Sequence, residues 1–224
     1  MTRATGIPKA TCLRLSFYLR ELDQAASWDR ATVSSAQLAT SLGTTAAQVR
    51  KDFSLFGQLG RPGVGYDVEE LGQAIRRILE VDRRWPVAVV GIGNLGRALA
   101  RHGGVAERNF DVVALFDTDP AKVGTRVAGV AVSPMEDMAR VIAERGVKLA
   151  ILTVPADAAQ QAAEALVRAG VAGILNFAPI AVRASGRAVI HPVDLTVMLE
   201  QLSCEVGARA AKGRTVPASR SEKP

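Results

Sequence analysis

Cysteine and histidine are scarce in the 224-residue sequence, with two of each. Cys12 and Cys204 are too few and too far apart for a disulfide framework or a metal site. Two reduced thiols of a cytoplasmic protein are the expectation. Aromatic residues make up only 4% of the chain, so Ala, Val and Leu must build the core. No run of about 18 apolar residues is present, which argues against a membrane-spanning helix. Residues 1–9 lack the apolar stretch of a secretory signal. What remains is a chain that is 48% hydrophobic, ordinary for a folded protein and long enough for one large domain or two modest ones.

The net charge of +6 is spread unevenly. Residues 1–66 hold eight Lys/Arg against four Asp/Glu, residues 85–208 eleven against twelve, and residues 209–224 five against one. A basic N-terminal part beside a near-neutral middle points to a polyanionic partner for the N-terminal part.

Residues 85–191 alternate continuous apolar runs (87–90, 112–116, 149–154 and 173–177) with helical patterns around 95–102, 134–145 and 157–169. Runs without polar alternation suit strands buried on both faces, and their alternation with helices predicts a doubly wound parallel α/β sheet. Trp85-Pro86 makes a boundary before it. The expected division is a helical N-terminal domain over 1–82, a Rossmann-like domain over 85–191, a C-terminal amphipathic helix over 192–208 opened by Pro192, and a polar, disordered tail over 209–224.

Directly after the first apolar run stands Gly91-Ile92-Gly93-Asn94-Leu95-Gly96, a G-x-G-x-x-G pattern that opens a helix. Gly91 allows the tight turn, Gly93 lets the backbone approach a pyrophosphate, and Gly96 lets the helix pack on the strand. The free N–H groups at the helix start favour the anion. Asp117 ends the second strand, where a carboxylate hydrogen-bonds a ribose 2′-hydroxyl and repels a 2′-phosphate, so NAD(H) is expected over NADP(H). Thr153, Val154 and Pro155, and then Asn176, Phe177, Ala178 and Pro179, end two further strands beside the same crevice.

Residues 32–56 read as a helix-turn-helix. Ser34 or Ser35 caps a short helix that Gly43 breaks, and Thr44 or Thr45 caps the next, from Ala46 to Phe56. Val49, Phe53 and Phe56 share its inner face, while Thr45, Ala47, Gln48, Arg50, Lys51 and Ser54 are left for a DNA groove and its phosphates. Residues 57–66, with four glycines and a proline, form a tight hairpin, a wing with Arg61 at its tip and Tyr66 at its end. Asp67 caps one more helix over 67–82, with Glu70 completing a capping box.

An enzyme would need a proton donor or acceptor beside the dinucleotide. His102 and His191 stand in no catalytic spacing with Lys, Tyr or Ser, so no catalytic residue is assigned. A small NAD-dependent oxidoreductase with a helical cap is the alternative.

Several linked motifs resemble the Rex family of redox-sensing transcriptional repressors over roughly residues 7–206: Pro8-Lys9-Ala10-Thr11 with Arg14 and Tyr18-Leu19-Arg20; Gln48-Val49-Arg50-Lys51-Asp52; Gly63-Val64-Gly65-Tyr66; the glycine loop; Asn176-Phe177-Ala178-Pro179; and Val193-Asp194-Leu195. The resemblance implies a homodimer with winged-helix heads, Rossmann bodies and a C-terminal helix swapped onto the partner. It implies that NADH, as an effector, closes the dimer and releases operator DNA; no metal or membrane partner is expected from the residues themselves. It also implies a redox-reading network in which Arg14 and Asp194 match the family's Arg and Asp. His102 stands where the family has Tyr, and Arg61-Pro62 stands where a more basic wing tip is usual.

Overall fold

The computed structural model describes residues 6–213 apart from 58, 62, 184, 185 and 187. The expected disordered tail beyond 213 lies outside the described residues. The chain divides into two units: residues 1–85 with 107–109, and residues 86–106 with 110–224.

The first unit opens with α1 (Lys9–Ser27), followed by β1 (Thr32–Val33), α2 (Ser35–Leu42), α3 (Ala46–Ser54), β2 (Tyr66–Asp67) and α4 (Val68–Ile78). The caps set these boundaries. Ser34 accepts from the Gln37 N–H and the Gln37 side chain accepts from the Ser34 N–H, a reciprocal box; Gly43, at φ 62°, closes α2. Thr45 caps α3 through the Gln48 N–H, and Asp67 caps α4 through the Glu70 N–H. The reciprocal box therefore belongs to α2, where Gln37 has the reach, and α4 carries Asp67's single cap. Both α3 and α4 end earlier than the sequence pattern suggested, at Ser54 and Ile78.

Leu15, Leu19 and Leu22 of α1 bury against Leu38, Val49, Phe53, Leu71 and Ile75. Tyr18, Phe53 and Tyr66 stack edge to face, with centroids 5.2 and 5.0 Å apart. β1 pairs antiparallel with β2, and the hairpin before β2 closes at an Arg61–Gly65 bridge. Arg61 thus sits at the neck of the wing and not at its tip, because its N–H and C=O both bond Gly65; the exposed Val64 lies in the turn beyond. Gly65 has φ +101°, and a Cβ there would meet the Val33 carbonyl oxygen at 2.7 Å, so the strand pairing depends on glycine.

The second unit, apart from Trp85 at its edge, runs β3 (Trp85–Val90), α5 (Asn94–Ala100), α6 (Gly103–Ala106), β4 (Phe110–Asp117), β5 (Arg126–Val127), β6 (Val130–Pro134), a 3₁₀ turn, α7 (Met138–Glu144), β7 (Leu149–Leu152), α8 (Ala156–Arg168), β8 (Gly173–Asn176), β9 (Val189–Pro192) and α9 (Leu195–Gly213). Among the described residues the sheet order is β5-β6-β4-β3-β7-β8-β9. β3 pairs parallel with β7, β7 with β8 and β8 with β9, while β4 pairs parallel with β6; β5 runs antiparallel at the edge. The chain leaves β3 toward β4 and returns on its other side as β7, so the strand order reverses between β3 and β7, where open α/β sheets bind ligands. Val89, Leu115 and Val132 pack on one face, and Ala88, Phe116, Leu152 and Ile174 pack with α7 and α8 on the other.

Two expectations change. Pro192 ends a strand instead of opening a helix, because residues 189–192 pair with the open edge of β8. The last helix starts after Asp194, whose carboxylate accepts from the Thr196 and Val197 N–H groups. It runs to Gly213, beyond the expected 208, since Ala208, Arg209, Ala210, Ala211 and Lys212 are all strong helix formers.

Candidate functional site

The glycine loop lies between β3 and α5, and its three glycines have separate reasons to be glycine. Gly91 has φ +91°, and a Cβ there would press on the Thr153 carbonyl. A Cβ at Gly96 would overlap the Gly91 carbonyl oxygen. These two are fixed by internal packing. Gly93 is different: its φ is −79°, and a built Cβ meets no described atom within 4 Å. Neither backbone strain nor a neighbour demands glycine there. The open space over an exposed backbone is what close approach of a pyrophosphate requires, so these residues fit a dinucleotide.

The loop is held from both sides. Thr153 follows β7 and its hydroxyl donates to the Gly91 carbonyl at 2.7 Å, with the Val90 carbonyl at 3.0 Å. Asp117, 6% exposed at the end of β4, accepts from the Ile92 N–H at 2.6 Å, from the Asp119 N–H at 2.9 Å and from Lys122 Nζ at 3.2 Å. Burial pushes this carboxyl up, and those hydrogen bonds outweigh burial and hold it below the usual carboxylate range. Asn176 is buried and spends its amide on its own loop: its oxygen accepts from the Ala178 N–H at 3.0 Å and its nitrogen donates to the Ile180 carbonyl at 2.9 Å. It shapes the turn that carries Phe177, Ala178 and Pro179. Phe177 packs partly buried against the cluster of Val87, Val89 and Ile92. Val154 and Pro155 lead from β7 into α8, and Asn94 and Leu95 stand exposed in the first turn of α5. The strand ends named from the sequence therefore converge on one edge of the sheet.

In the first unit, Thr45, Ala47, Arg50, Lys51 and Ser54 are exposed along α3. Arg50 Nη1 donates to Ser35 Oγ at 3.1 Å. Arg50, Ser54, Arg61 and Tyr66 line a cleft of 590 Å³ between α3 and the wing. Gln48 is half-buried and turned inward, with Nε2 donating to Asp52 Oδ1 at 3.0 Å.

Asp52 was not singled out by the sequence. It is 1% exposed and gathers Arg14 Nε (2.6 Å) and Nη2 (2.7 Å), the Tyr18 hydroxyl (3.0 Å), Gln48 and Thr11 (3.4 Å). Burial raises this carboxyl, and the hydrogen bonds from Arg14, Tyr18 and Gln48 bring it below its ordinary value. Burial, followed by the bond to Asp52, pushes the Tyr18 phenol up to about 12. The signal available in the sequence was Thr11, Arg14 and Tyr18 at spacings of three and four, a polar stripe on a helix face that also carries Leu15 and Leu22.

Of the three residues of the redox network implied by the resemblance, Arg14 lies in the first unit and grips Asp52 with both arms of its fork. His102 and Asp194 lie in the second unit, His102 exposed after α5 and Asp194 capping α9. Among the described residues, no group of three or more His, Cys, Asp or Glu could hold a metal, and no helix is long and apolar enough to cross a membrane.

A winged helix-turn-helix followed by a Rossmann unit with a built phosphate loop defines a transcriptional regulator that carries its own dinucleotide module. The comparisons agree with that class unit by unit. A family model described as CoA binding domain matches residues 82–180, and one described as "Putative DNA-binding protein N-terminus" matches residues 6–54. The redox-sensing transcriptional repressor Rex of Streptomyces griseus is 50% identical over 202 residues, covering 90% of this chain and 80% of that protein. Rex of Carboxydothermus hydrogenoformans is 44% identical, covering 89% of this chain and 96% of that protein. The crystal structure of RSP, a Rex-family repressor, in complex with NAD⁺ and operator DNA is 33% identical with a TM-score of 0.86, covering 95% of this chain and all of that one. RSP with NADH is 31% identical with a TM-score of 0.85 over the same shares. The chain belongs to the Rex family of redox-sensing transcriptional repressors.

Proposed function

We propose that this protein holds operator DNA as a homodimer and releases it when NADH fills the Rossmann unit, so that transcription follows the NADH/NAD⁺ ratio. The observation that carries the reading is Gly93: a glycine that neither its φ nor a described neighbour requires, exposed at the start of α5 where a pyrophosphate would approach, on a chain whose other unit presents a basic recognition helix. That relatives were captured with operator DNA and with either form of the dinucleotide supports it.

The residues divide the work. The N–H groups opening α5 receive the pyrophosphate, and Thr153 and Asp117 keep the loop in shape for it. Asp117 retains acceptor capacity for one ribose hydroxyl. Thr45, Ala47, Lys51 and Ser54, with Arg50 and Arg61 beside the wing, face the groove and the phosphates, while Gln48 and Tyr66 brace them. When bound, the dinucleotide supplies a ring that carries positive charge only in its oxidised form. The family resemblance assigns the reading of that charge to Arg14, His102 and Asp194.

The C-terminal helix supports a dimer. Leu195, Met198, Leu199, Leu202 and Val206 of α9 are 55–65% exposed. Each such side chain is worth about 1.5–3 kcal/mol when fully buried, and a second copy swapped against this helix would bury them.

Release requires NADH to bind the DNA-free arrangement better than the DNA-bound one, and by linkage DNA weakens NADH by the same factor. The test titrates NADH and NAD⁺ into the protein bound to a fluorescent two-fold-symmetric duplex selected from random sequence. Release by NADH at far lower concentration than by NAD⁺ is expected. Equal potency of the two would overturn the sensing claim. Consumption of the reduced-nicotinamide absorbance with an added carbonyl compound would point to the oxidoreductase alternative.

A further inference from the structure

We propose that Lys122 is a specificity-determining residue at the adenosine ribose, and that Asp117 excludes a 2′-phosphate by holding Lys122 as much as by its own charge. The proposal rests on the reading of the second unit as an NAD(H) site. Lys122 lies five residues past Asp117, across the turn in which Asp119 accepts from the Ala121 and Lys122 N–H groups. Its Nζ is 3.2 Å from Asp117 Oδ2 and 3.5 Å from Asp119 Oδ2. The side chain of Asp117 is 7% exposed and that of Lys122 is 29% exposed. The ammonium is therefore the half of the pair that solvent, or a ligand, reaches more readily.

The carboxylate is nearly full. Two backbone N–H groups and the ammonium already use three of the roughly four acceptor positions that a carboxylate offers. One remains, which suits a single hydroxyl. A 2′-phosphate would need a cation, and the cation at this strand end is committed to Asp117 and Asp119. A phosphate placed there would have to break that pair and then sit beside two carboxylates. Selectivity thus belongs to the pair: Asp117 ties Lys122 down, and Lys122 is the group a 2′-phosphate would use if it were free.

The test uses the full chain and four proteins: the parent, Lys122→Met, Asp117→Asn and Asp117→Asn/Lys122→Met. Each is titrated with NADH and with NADPH by calorimetry, and its fold is checked by circular dichroism. Removing the Asp117 charge leaves the ammonium held by the more exposed Asp119 alone and able to turn to a phosphate, so Asp117→Asn should tighten NADPH about tenfold or more. The double variant should lose that gain. Lys122→Met alone removes a partly exposed pair and should change NADH affinity by no more than about fivefold, with no gain for NADPH. Asp117→Ser, which keeps an acceptor for the Ile92 N–H, runs in parallel should the Asn variant unfold. The proposal is overturned if the double variant binds NADPH as tightly as Asp117→Asn, or if a folded Asp117 variant still binding NADH gains no NADPH. A parent protein that binds no NADH would instead overturn the reading of the site as a whole.

Discussion

Replacing Asp52 by Asn is the sharpest test of how the DNA-facing unit is held together. The substitution keeps shape and removes charge. In the native unit the carboxylate accepts two bonds from Arg14, at 2.6 and 2.7 Å, one from Tyr18 and one from Gln48, each at 3.0 Å. An Asn amide can present only one oxygen to these donors, and its NH₂ must face the guanidinium in either orientation, together with the Gln48 amide or the Tyr18 hydroxyl. Arg14 keeps 27% exposure and can turn toward water, whereas Tyr18 is fully buried and cannot. Breaking a buried pair by removing one partner costs about 3–5 kcal/mol. For a unit of this size each kcal/mol lowers the melting temperature by roughly 4–8 °C, so a drop of about 12–40 °C is expected. Tyr18→Phe is the internal control: it deletes one hydrogen bond and leaves Asp52 with its other donors, for about 1 kcal/mol. The assay is equilibrium urea unfolding and thermal melting by circular dichroism at neutral pH. An Asp52→Asn protein that unfolds no earlier than Tyr18→Phe would refute the reasoning. The pH dependence gives a second check. Because the folded carboxyl lies below its unfolded value, its contribution is present above the ordinary Asp range near pH 4 and fades as pH falls through the folded value. Asp52→Asn should flatten that acid limb.

Three further outcomes follow from the same structure. Gly93→Ala should fold like the parent, since its Cβ enters open space, yet lose NADH affinity in calorimetry; Gly96→Ala should instead lower the melting temperature, because its Cβ overlaps the Gly91 carbonyl. Unchanged NADH binding in Gly93→Ala would remove that glycine from the site. Lys51→Ala should weaken operator binding and reduce the salt dependence of log K by about one unit, with NADH affinity intact; loss of both affinities would point to misfolding instead. Tyr18 has a folded pKa of about 12, above its unfolded value near 10, so its contribution holds below pH 10 and is lost as pH rises through 12. Tyr18→Phe should lose less stability than the parent across that window in alkaline urea titrations, and an identical slope would sink the assignment.

Local signals in the sequence marked most of the architecture. Apolar runs without alternation marked β3, β4, β7 and β8, and Asp67 and the pairs Ser34/Ser35 and Thr44/Thr45 marked helix starts, because a cap needs only its own helix to act; the structure takes Ser34 and Thr45. The glycine loop was legible for the same reason: turn, strand and helix are contiguous. What escaped depended on distant partners. An Asp in the middle of Arg50-Lys51-Asp52-Phe53 reads as an ordinary solvated helix charge; only the fold brings Arg14 to it from 38 residues away. Gln48, read as a groove contact, turns inward for the same reason. β9 was hidden because its four residues include Pro192 and gain their bonds from the edge of β8. Lys122 was passed over because a lysine after a turn has no pattern of its own until its carboxylate partner is located.

The bracing of the glycine loop bears on how fast such a protein can respond. Thr153 ties Gly91 from one side and Asp117 ties Ile92 from the other, so the shape of the loop is set by bonds within the chain. Bracing of this kind lowers the ordering cost of binding, which otherwise runs to about 0.5–1.5 kcal/mol per immobilised side chain. Affinity differences between the two redox forms then fall on how long each one stays, and the residence time of the departing form sets the interval over which the ratio is averaged.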